Sequence, residues 1–134
     1  MESENRPVLV VDDDREINAI VGAYVELCGL SFRQAYDGIS AIDKANHQPA
    51  PVAIVLDLML PDLDGFEVCR RLKSNPTTKE TPVIILSALG SEADKKTGRE
   101  AGAEAHLTKP FDPDEFMRVL KEVTSAPSDS SNHH

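Results

Sequence analysis

Residues 52–65 read Val-Ala-Ile-Val-Leu-Asp-Leu-Met-Leu-Pro-Asp-Leu-Asp-Gly. The first five residues are apolar, which is typical of a short strand that is buried on both faces of a parallel sheet. Asp57 follows this run at once, and the segment at 61–65 is rich in residues that form turns. The stretch therefore predicts a buried strand that delivers a carboxylate to the loop at its carboxyl end.

Two further apolar runs, at 8–11 and 83–86, have the same character, and 31–36 and 105–108 are weaker strand candidates. Between these runs, apolar residues recur at helical spacing. Four helices are predicted to start at an Asp or Ser that is followed three residues later by an acid: Asp13 with Glu16, Asp64 with Glu67, Ser91 with Asp94, and Asp112 with Glu115. This alternation predicts an α/β fold, a doubly wound (βα)5 unit whose parallel sheet has helices on both faces.

The acids near the helix starts receive different predicted roles. We expect Asp64 to cap its helix, Asp14 to be a solvated acid of the first helical turn, and Asp62 to be a loop acid. The helix predicted over 91–102 has the poorest apolar stripe and contains Gly98. We therefore expect that helix to pack weakly.

The composition restricts the classes of partner. The chain has 134 residues, which suits one domain, and its 23 Asp and Glu outnumber 14 Lys and Arg, for a formal net charge of −9. That charge argues against direct binding of nucleic acid. The chain shows neither a signal peptide nor an apolar run of membrane-spanning length, and two cysteines suit a reducing compartment. We expect a cytoplasmic protein that does not contact membranes.

Polar side chains stand at the predicted carboxyl ends of four strands. Asp12 and Asp13 follow the first strand, and Asp57 follows the third. Ser87 and Lys109 follow the fourth and the fifth. Ligands bind to open α/β sheets beyond the carboxyl ends of the strands. Carboxylates crowded there repel each other unless a cation such as Mg²⁺ neutralises them. An aspartate placed among a metal, a lysine and a hydroxyl is set up to form an acyl phosphate.

Four motifs stand in order at these strand ends: Val-Asp-Asp at 11–13, Leu-Asp-Leu-Met-Leu-Pro-Asp-Leu-Asp-Gly at 56–65, Leu-Ser-Ala at 86–88 and Thr-Lys-Pro-Phe at 108–111. Together they closely resemble the receiver domains of bacterial two-component response regulators. The resemblance covers residues 7–124, which we predict to be a receiver domain between an N-terminal extension at 1–6 and a polar tail or linker at 125–134. It implies a flavodoxin-like, five-stranded sheet in the order 2-1-3-4-5.

The resemblance also implies a reaction. Asp57 would accept a phosphoryl group from the phosphohistidine of a sensor histidine kinase or phosphotransfer protein. Mg²⁺ would be held by Asp12, Asp13, Asp57 and the backbone carbonyl of Met59. The domain would be a phosphoacceptor that assists only its own phosphorylation and dephosphorylation, and not a turnover enzyme.

Further residues would surround the phosphoryl group. By resemblance, Lys109, Ser87 and Ala88 would contact it. Ser87 and His106 would form a switch that reshapes the face made by the fourth helix, fifth strand and fifth helix. We expect that face to signal to a partner or output domain. We also expect the chain to be a monomer or a weak homodimer.

Three residues would support the loops by resemblance. Pro61 and Gly65 would shape the loop after Asp57. The peptide bond that precedes Pro110 would be cis, which is uncommon outside such a family since only about 5–6% of X-Pro bonds in folded proteins are cis.

Three alternatives fit the sequence less well. A haloacid-dehalogenase-like phosphatase would use Asp12 and Asp14, but Glu16 stands where that family carries Thr or Val, and it has no use for Asp57. A flavodoxin-like FMN carrier would need a phosphate-binding loop where three successive acids stand. A degenerate receiver that acts only as a binding module is disfavoured because every site residue is present.

Overall fold

The structure is a computed structural model, and it describes the backbone of residues 6–131 and the side chains of residues 6–125. Strands and helices alternate along this range: β1 (Val8–Val11), α1 (Arg15–Leu27), β2 (Phe32–Ala35), α2 (Gly38–Ala45), β3 (Ala53–Leu56), α3 (Gly65–Ser74), β4 (Val83–Ser87), α4 (Glu92–Glu100), β5 (Ala105–Thr108) and α5 (Pro113–Ser131). The strands form one parallel sheet in the order β2-β1-β3-β4-β5. The predicted fold class and strand order are confirmed.

Each face of the sheet carries its own apolar core, because alternate residues of a strand point to opposite sides. On one face, Leu9 and Ile54 pack with residues of α2 and α3. On the other face, Val10 and Val55 pack with residues of α1 and α5. Strands β1, β3 and β4 are buried along their whole length, which explains why each is a continuous apolar run.

The edge strand β2 is shorter than the predicted segment 31–36. It pairs with β1 alone, and only Ala35 of its four residues is buried. A strand that is half exposed at the sheet edge needs no continuous apolar run, which explains its weak sequence pattern.

Helix α1 begins one residue later than predicted. Its N-cap is Asp14, whose Oδ1 accepts hydrogen bonds from the amides of Glu16 and Ile17. The prediction that Asp13 caps this helix is wrong. Asp14 is exposed, as predicted, but it is the N-cap and not an acid of the first turn. The first helical hydrogen bond runs from the amide of Asn18 to the carbonyl of Asp14, so the cap position falls on Asp14.

Two other helix starts follow the prediction more closely. Asp64 is the N-cap of α3, and Ser91 forms a reciprocal capping box with Asp94 at the start of α4. Glu67, predicted as the partner of Asp64, instead forms an ion pair one turn further on with Arg71.

Helix α4 is weakly packed, as predicted, since Gly98 is its one buried residue. None of the helices within the described residues is long and apolar enough to cross a membrane.

The ends of the chain differ in part from the predicted division. Helix α5 runs to Ser131 and so includes the first residues of the polar tail predicted at 125–134. The hydroxyl of Ser125 donates to the carbonyl of Lys121 one turn earlier, so the hydroxyl is satisfied within the helix. At the other end, the guanidinium group of Arg6 donates to the carbonyls of Ala50 and Pro51. Residues 1–5 and 132–134 lie outside the described residues, and the domain boundaries stay a prediction.

Asn18 joins the ends of β1 and β2. Its side chain is fully buried, and Nδ2 lies within hydrogen-bond distance of the carbonyl oxygens of Val10, Asp12 and Ala35. Its Oδ1 accepts a hydrogen bond from Gln34. This one side chain therefore holds the β1–α1 and β2–α2 loops together beneath the carboxyl edge of the sheet.

We expect Asn18→Leu to lower the free energy of unfolding by about 2–4 kcal/mol. The change takes the Nδ2 donor away from the buried carbonyls of Val10 and Asp12, while the carbonyl of Ala35 keeps its hydrogen bond from the amide of Asp12. Each buried polar group left unpaired costs about 1–3 kcal/mol. Urea denaturation measures the loss. Gln34→Leu is the comparison variant, because it leaves one buried acceptor, Oδ1 of Asn18, without its donor, so its expected loss is smaller, about 1–2 kcal/mol. Equal losses in the two variants would contradict the role of Asn18.

Candidate functional site

The carboxyl ends of β1 and β3 place three carboxylates side by side. Val11 and Leu56 pair in register at the ends of these strands, so that Asp12 and Asp57 follow at the same level. Oxygen atoms of Asp12, Asp13 and Asp57 all lie within 4.8 Å of one another. Asp12 is 3% and Asp57 is 7% exposed, whereas Asp13 faces solvent. The structure thus brings together the acids that the sequence pattern singles out.

The ammonium group of Lys109 lies against this acidic cluster. Its Nζ is 2.7 Å from Asp12 Oδ2 and 3.5 Å from Asp57 Oδ2. The amide of Lys109 donates to the carbonyl of Ser87, which holds the end of β5 against β4. One ammonium group faces three carboxylates, so the cluster keeps a surplus of negative charge.

Burial and pairing act in opposite directions on these groups. Burial raises the pKa of Asp12, and this effect exceeds the lowering by hydrogen bonds from Lys109 and from the amide of Asp14. Burial by itself would lower the pKa of Lys109, but hydrogen bonds and charge interactions with Asp12 and Asp57 outweigh it and raise that pKa. Lys109 is therefore a cation at neutral pH, held where negative charge is concentrated.

The donor set suits a hard divalent cation. Mg²⁺ is bound in proteins by one or two carboxylates together with waters and other oxygen atoms, and three carboxylate oxygens converge here. The amide of Met59 donates to Asp57 Oδ1 at 3.3 Å, so the peptide group of Met59 lies next to the cluster. The residues present therefore fit the Mg²⁺ ion that the sequence predicts.

Ser87 and His106, the two predicted switch residues, are linked through Leu89. Ser87 is fully buried, and its Oγ accepts a hydrogen bond from the amide of Leu89 at 3.3 Å. The carbonyl of Leu89 accepts a hydrogen bond from Nε2 of His106 at 2.8 Å. Ala88, between Ser87 and Leu89, is exposed.

The imidazole of His106 lies between β5 and α4. Its Nδ1 is buried and has no hydrogen-bond partner in the described part of the chain. A Cβ atom at Gly98 would lie 3.3 Å from Nδ1 of His106 and 2.9 Å from Cδ1 of Ile85. Gly98 thus makes room for the side chain of Ile85 and for the imidazole, which explains a glycine inside α4 despite its low helix propensity.

The predicted loop residues lie on both sides of the cluster. The amide of Gly65 donates to the carbonyl of Leu58, and a Cβ at Gly65 would lie 2.4 Å from Cα of Leu58, so the close turn requires glycine. Pro61 is exposed near the tip of the loop. The Lys109–Pro110 peptide bond is cis.

Asp62, predicted only as a loop acid, binds the start of α2. Its Oδ1 accepts a hydrogen bond from the amide of Gly38 at 2.7 Å, and its Oδ2 accepts one from the amide of Ile39 at 2.9 Å. Local sequence patterns do not reveal this contact, because Gly38 and Ile39 lie 24 and 23 residues away from Asp62. The sequence patterns that mark a helix start involve only the few residues around the cap. In α2 that local cap is Asp37.

Comparison with known proteins identifies the family. The model of the response regulator receiver domain matches residues 8–121, and the chain belongs to this family. It is 44% identical over 114 residues to the DNA-binding dual master transcriptional regulator RpaA of Synechocystis sp., a match that covers 85% of this chain and 47% of RpaA. The chain spans about half the length of the curated relatives it matches.

Solved structures agree with this assignment. The Francisella response regulator 1452 receiver domain superposes with a TM-score of 0.83 at 36% identity, covering 91% of this chain and 98% of that one. The receiver domain of the sensor histidine kinase PA1611 from Pseudomonas aeruginosa superposes with a TM-score of 0.80 at 28% identity, covering 90% and 98%. The PA1611 domain has a magnesium ion coordinated in its active site cleft.

The geometry also bears on the phosphatase alternative. That reading needs Asp12 and Asp14 to act as a pair. Asp14 instead caps α1, and the group of converging carboxylates contains Asp13 and Asp57. The phosphatase reading is therefore not favoured.

We expect Mg²⁺ to stabilise the chain through this cluster. At ten times its Kd, a ligand that binds only the folded state adds about 1.4 kcal/mol to the free energy of unfolding. Asp13→Asn should be more stable than the unaltered chain in a chelator, because repulsion falls, and should gain less from Mg²⁺. Urea denaturation with and without Mg²⁺ measures both effects.

Asp14→Asn is the matched control for this experiment. It removes the same charge one residue away, outside the cluster, and asparagine caps a helix about as well as aspartate. Its gain from Mg²⁺ should equal that of the unaltered chain. An undiminished gain in Asp13→Asn would contradict the assignment of Asp13 to the metal site.

Proposed function

We propose that Asp57 accepts a phosphoryl group from the phosphohistidine of a sensor histidine kinase or phosphotransfer protein. The observation that carries this proposal is the Asp57 carboxylate, buried at the end of β3 and flanked by two further carboxylates and the Lys109 ammonium group. A carboxylate oxygen of Asp57 attacks phosphorus as the bond from phosphorus to the donor imidazole breaks. The products are an acyl phosphate on Asp57 and a free imidazole.

The surrounding residues have separate tasks in this transfer. Asp12, Asp13, Asp57 and the carbonyl of Met59 would hold Mg²⁺, which when bound neutralises charge on phosphoryl oxygens. Lys109, now paired with Asp12 and Asp57, is placed to pair with a phosphoryl oxygen once Asp57 is phosphorylated. The carboxylates and the lysine also orient the acceptor, which is the main contribution that a protein makes to phosphoryl transfer.

The same geometry supports a switch. Ser87 Oγ is bonded to the Leu89 amide, and the Leu89 carbonyl is bonded to His106. When Ser87 turns to a phosphoryl oxygen on Asp57, its contact with Leu89 changes, and the hydrogen bond to His106 changes with it. Ala88 is small enough to leave room for the phosphoryl group. The face formed by α4, β5 and α5 is then the surface on which a partner or output domain detects phosphorylation.

Membership of this family supports proposals about the partners and the location of the protein. Receiver domains of response regulators interact with sensor kinases and with output domains, and we propose both kinds of partner for a cytoplasmic protein that contains this chain. We propose that the receiver domain itself does not bind nucleic acid, because its negative net charge repels phosphate groups. RpaA is described as DNA-binding, so we do not propose that a longer protein containing this receiver domain would lack contact with DNA. The domain assists its own phosphorylation and dephosphorylation, and it is a monomer or a weak homodimer.

An apolar groove of about 450 Å³ beside Lys109 suits the approach of the phosphodonor protein. It is lined by residues of α1 and of the segment that follows β5: Ile17, Ile20, Tyr24, Lys109, Pro110, Phe111 and Pro113. Lys109 belongs both to the groove and to the acidic cluster. An apolar surface on the donor could therefore pack in the groove while its phosphohistidine reaches Asp57.

Incubation with Mg²⁺ and acetyl phosphate tests the acceptor directly. We expect the intact chain to gain the mass of one phosphoryl group, and Asp57→Asn to gain none. Lys109→Ala should be phosphorylated more slowly, because the cation that faces the phosphoryl oxygens is lost. Mass spectrometry measures the modified fraction. Phosphorylation that persists in Asp57→Asn, or that proceeds equally in a chelator, would overturn the proposal.

A substitution in the groove separates protein donors from small ones. Ile20→Glu should lower kcat/KM for phosphotransfer from a sensor kinase by about tenfold or more, which corresponds to about 1.4 kcal/mol of lost interaction. The rate with acetyl phosphate should not change. Leu27→Glu is the control, since Leu27 is 72% exposed on the same helix and is not among the lining residues. Equal effects of the two substitutions would contradict a role for the groove.

A further inference from the structure

The loop between β3 and α3 is closed at its base. The amide of Gly65 donates to the carbonyl of Leu58, and Met59 pairs with Asp64 in an isolated antiparallel bridge. The carboxylate of Asp57 and the peptide group of Met59 are thus held at the start of a tight loop whose tip is residues 60–63. Anything that holds this tip also limits the movement of Met59.

Asp62 holds the tip against the N-terminus of α2. Each of its carboxylate oxygens accepts one amide hydrogen, from Gly38 at 2.7 Å and from Ile39 at 2.9 Å. Hydrogen bonds to an ionised acceptor are stronger than neutral ones, and the positive end of the helix dipole adds to them. Slight desolvation raises the pKa of Asp62, but the hydrogen bonds from Ile39 and Gly38 outweigh it and lower that pKa.

Side-chain packing at the same place leaves little freedom. A Cβ atom at Gly38 would lie 2.9 Å from Cβ of Leu63 and 3.0 Å from Cγ2 of Val68. The loop therefore lies directly on the backbone of α2, a close approach that glycine permits. The two hydrogen bonds of Asp62 and this contact together fix one relative position of the loop and the helix.

The start of α2 is itself tied to the other half of the acidic cluster. The amide of Asp12 donates to the carbonyl of Ala35 at the end of β2. The guanidinium carbon of Arg15 lies 3.9 Å from the ring centroid of Tyr36, between Ala35 and the Asp37 cap of α2. The β2–α2 segment thus contacts the loop that carries Asp12 and Asp13.

We propose that Asp62 is a positioning residue for the acidic cluster, holding the loop that carries Asp57 and Met59 in register with the loop that carries Asp12 and Asp13. This inference rests on the proposed Mg²⁺ site. Asp37 caps α2 independently, through a hydrogen bond from the amide of Ser40. Removal of Asp62 therefore leaves α2 with its own cap, and what is lost is the attachment of the loop to the helix.

Mg²⁺ affinity of the full chain, measured by isothermal titration calorimetry, tests this role. We expect Asp62→Ala to raise the Kd for Mg²⁺ roughly 3- to 10-fold, less than the 10- to 100-fold typical of a group bonded directly to a metal ligand. The Kd of Asp62→Asn should lie between that of the unaltered chain and that of Asp62→Ala. Its amide oxygen can accept one of the two hydrogen bonds, but its NH₂ group faces the second donor. Urea denaturation of each variant is measured in parallel.

Asp37→Ala is the matched control, because it removes a carboxylate from the same helix N-terminus without releasing the loop. At a comparable loss of stability, its Kd for Mg²⁺ should stay within about twofold of that of the unaltered chain. An unchanged Kd in both Asp62 variants would overturn the positioning role, and so would an equal rise in Kd in Asp37→Ala. If the unaltered chain binds no Mg²⁺, or if Asp57→Asn binds it equally well, the proposed metal site itself fails.

Discussion

Repulsion among Asp12, Asp13 and Asp57 is the constraint on which the rest of the site depends. Parallel strands that pair in register bring their carboxyl ends to one edge, and partial burial strengthens the interactions between charges there. The ion pair of Lys109 with Asp12 and Asp57 offsets part of this repulsion. The two apolar cores hold the strands, and hence the charges, together. A divalent cation or a proton can relieve the remaining repulsion, and the phosphoryl transfer that we propose uses the divalent cation.

The loops around the cluster are joined to one another by a few specific hydrogen bonds. Asn18 connects the ends of β1 and β2, Asp62 connects the β3–α3 loop to α2, and Leu89 connects Ser87 to His106. The phosphorylation of Asp57 that we propose would act on these loop contacts and not on the packing of either core. Helix α4 is suited to respond, since it buries little, and Gly98 leaves the space that His106 occupies.

Elements that depend on interactions between residues close in sequence are predicted better than elements that depend on their place in the fold. Strands buried on both faces, such as Ala53–Leu56, are continuous apolar runs and are recognisable without a structure. The edge strand Phe32–Ala35 lacks that pattern because only one residue of it is buried. The N-cap of α1 falls on Asp14 and not on Asp13, a choice that three successive aspartates leave open until the first helical hydrogen bond is known.

The alternation of strands and helices, the class of fold, and the acids and lysine at the strand ends can all be predicted from the amino-acid sequence. Burial periodicity is a local property of the chain, and strands that alternate with helices pair in parallel, which brings their carboxyl ends to one edge of the sheet. Three features are evident only in the folded chain: Lys109 pairs more closely with Asp12 than with Asp57, Leu89 bridges Ser87 and His106, and Asp62 binds α2. These contacts join residues distant in sequence or depend on side-chain directions, and no periodic pattern encodes either.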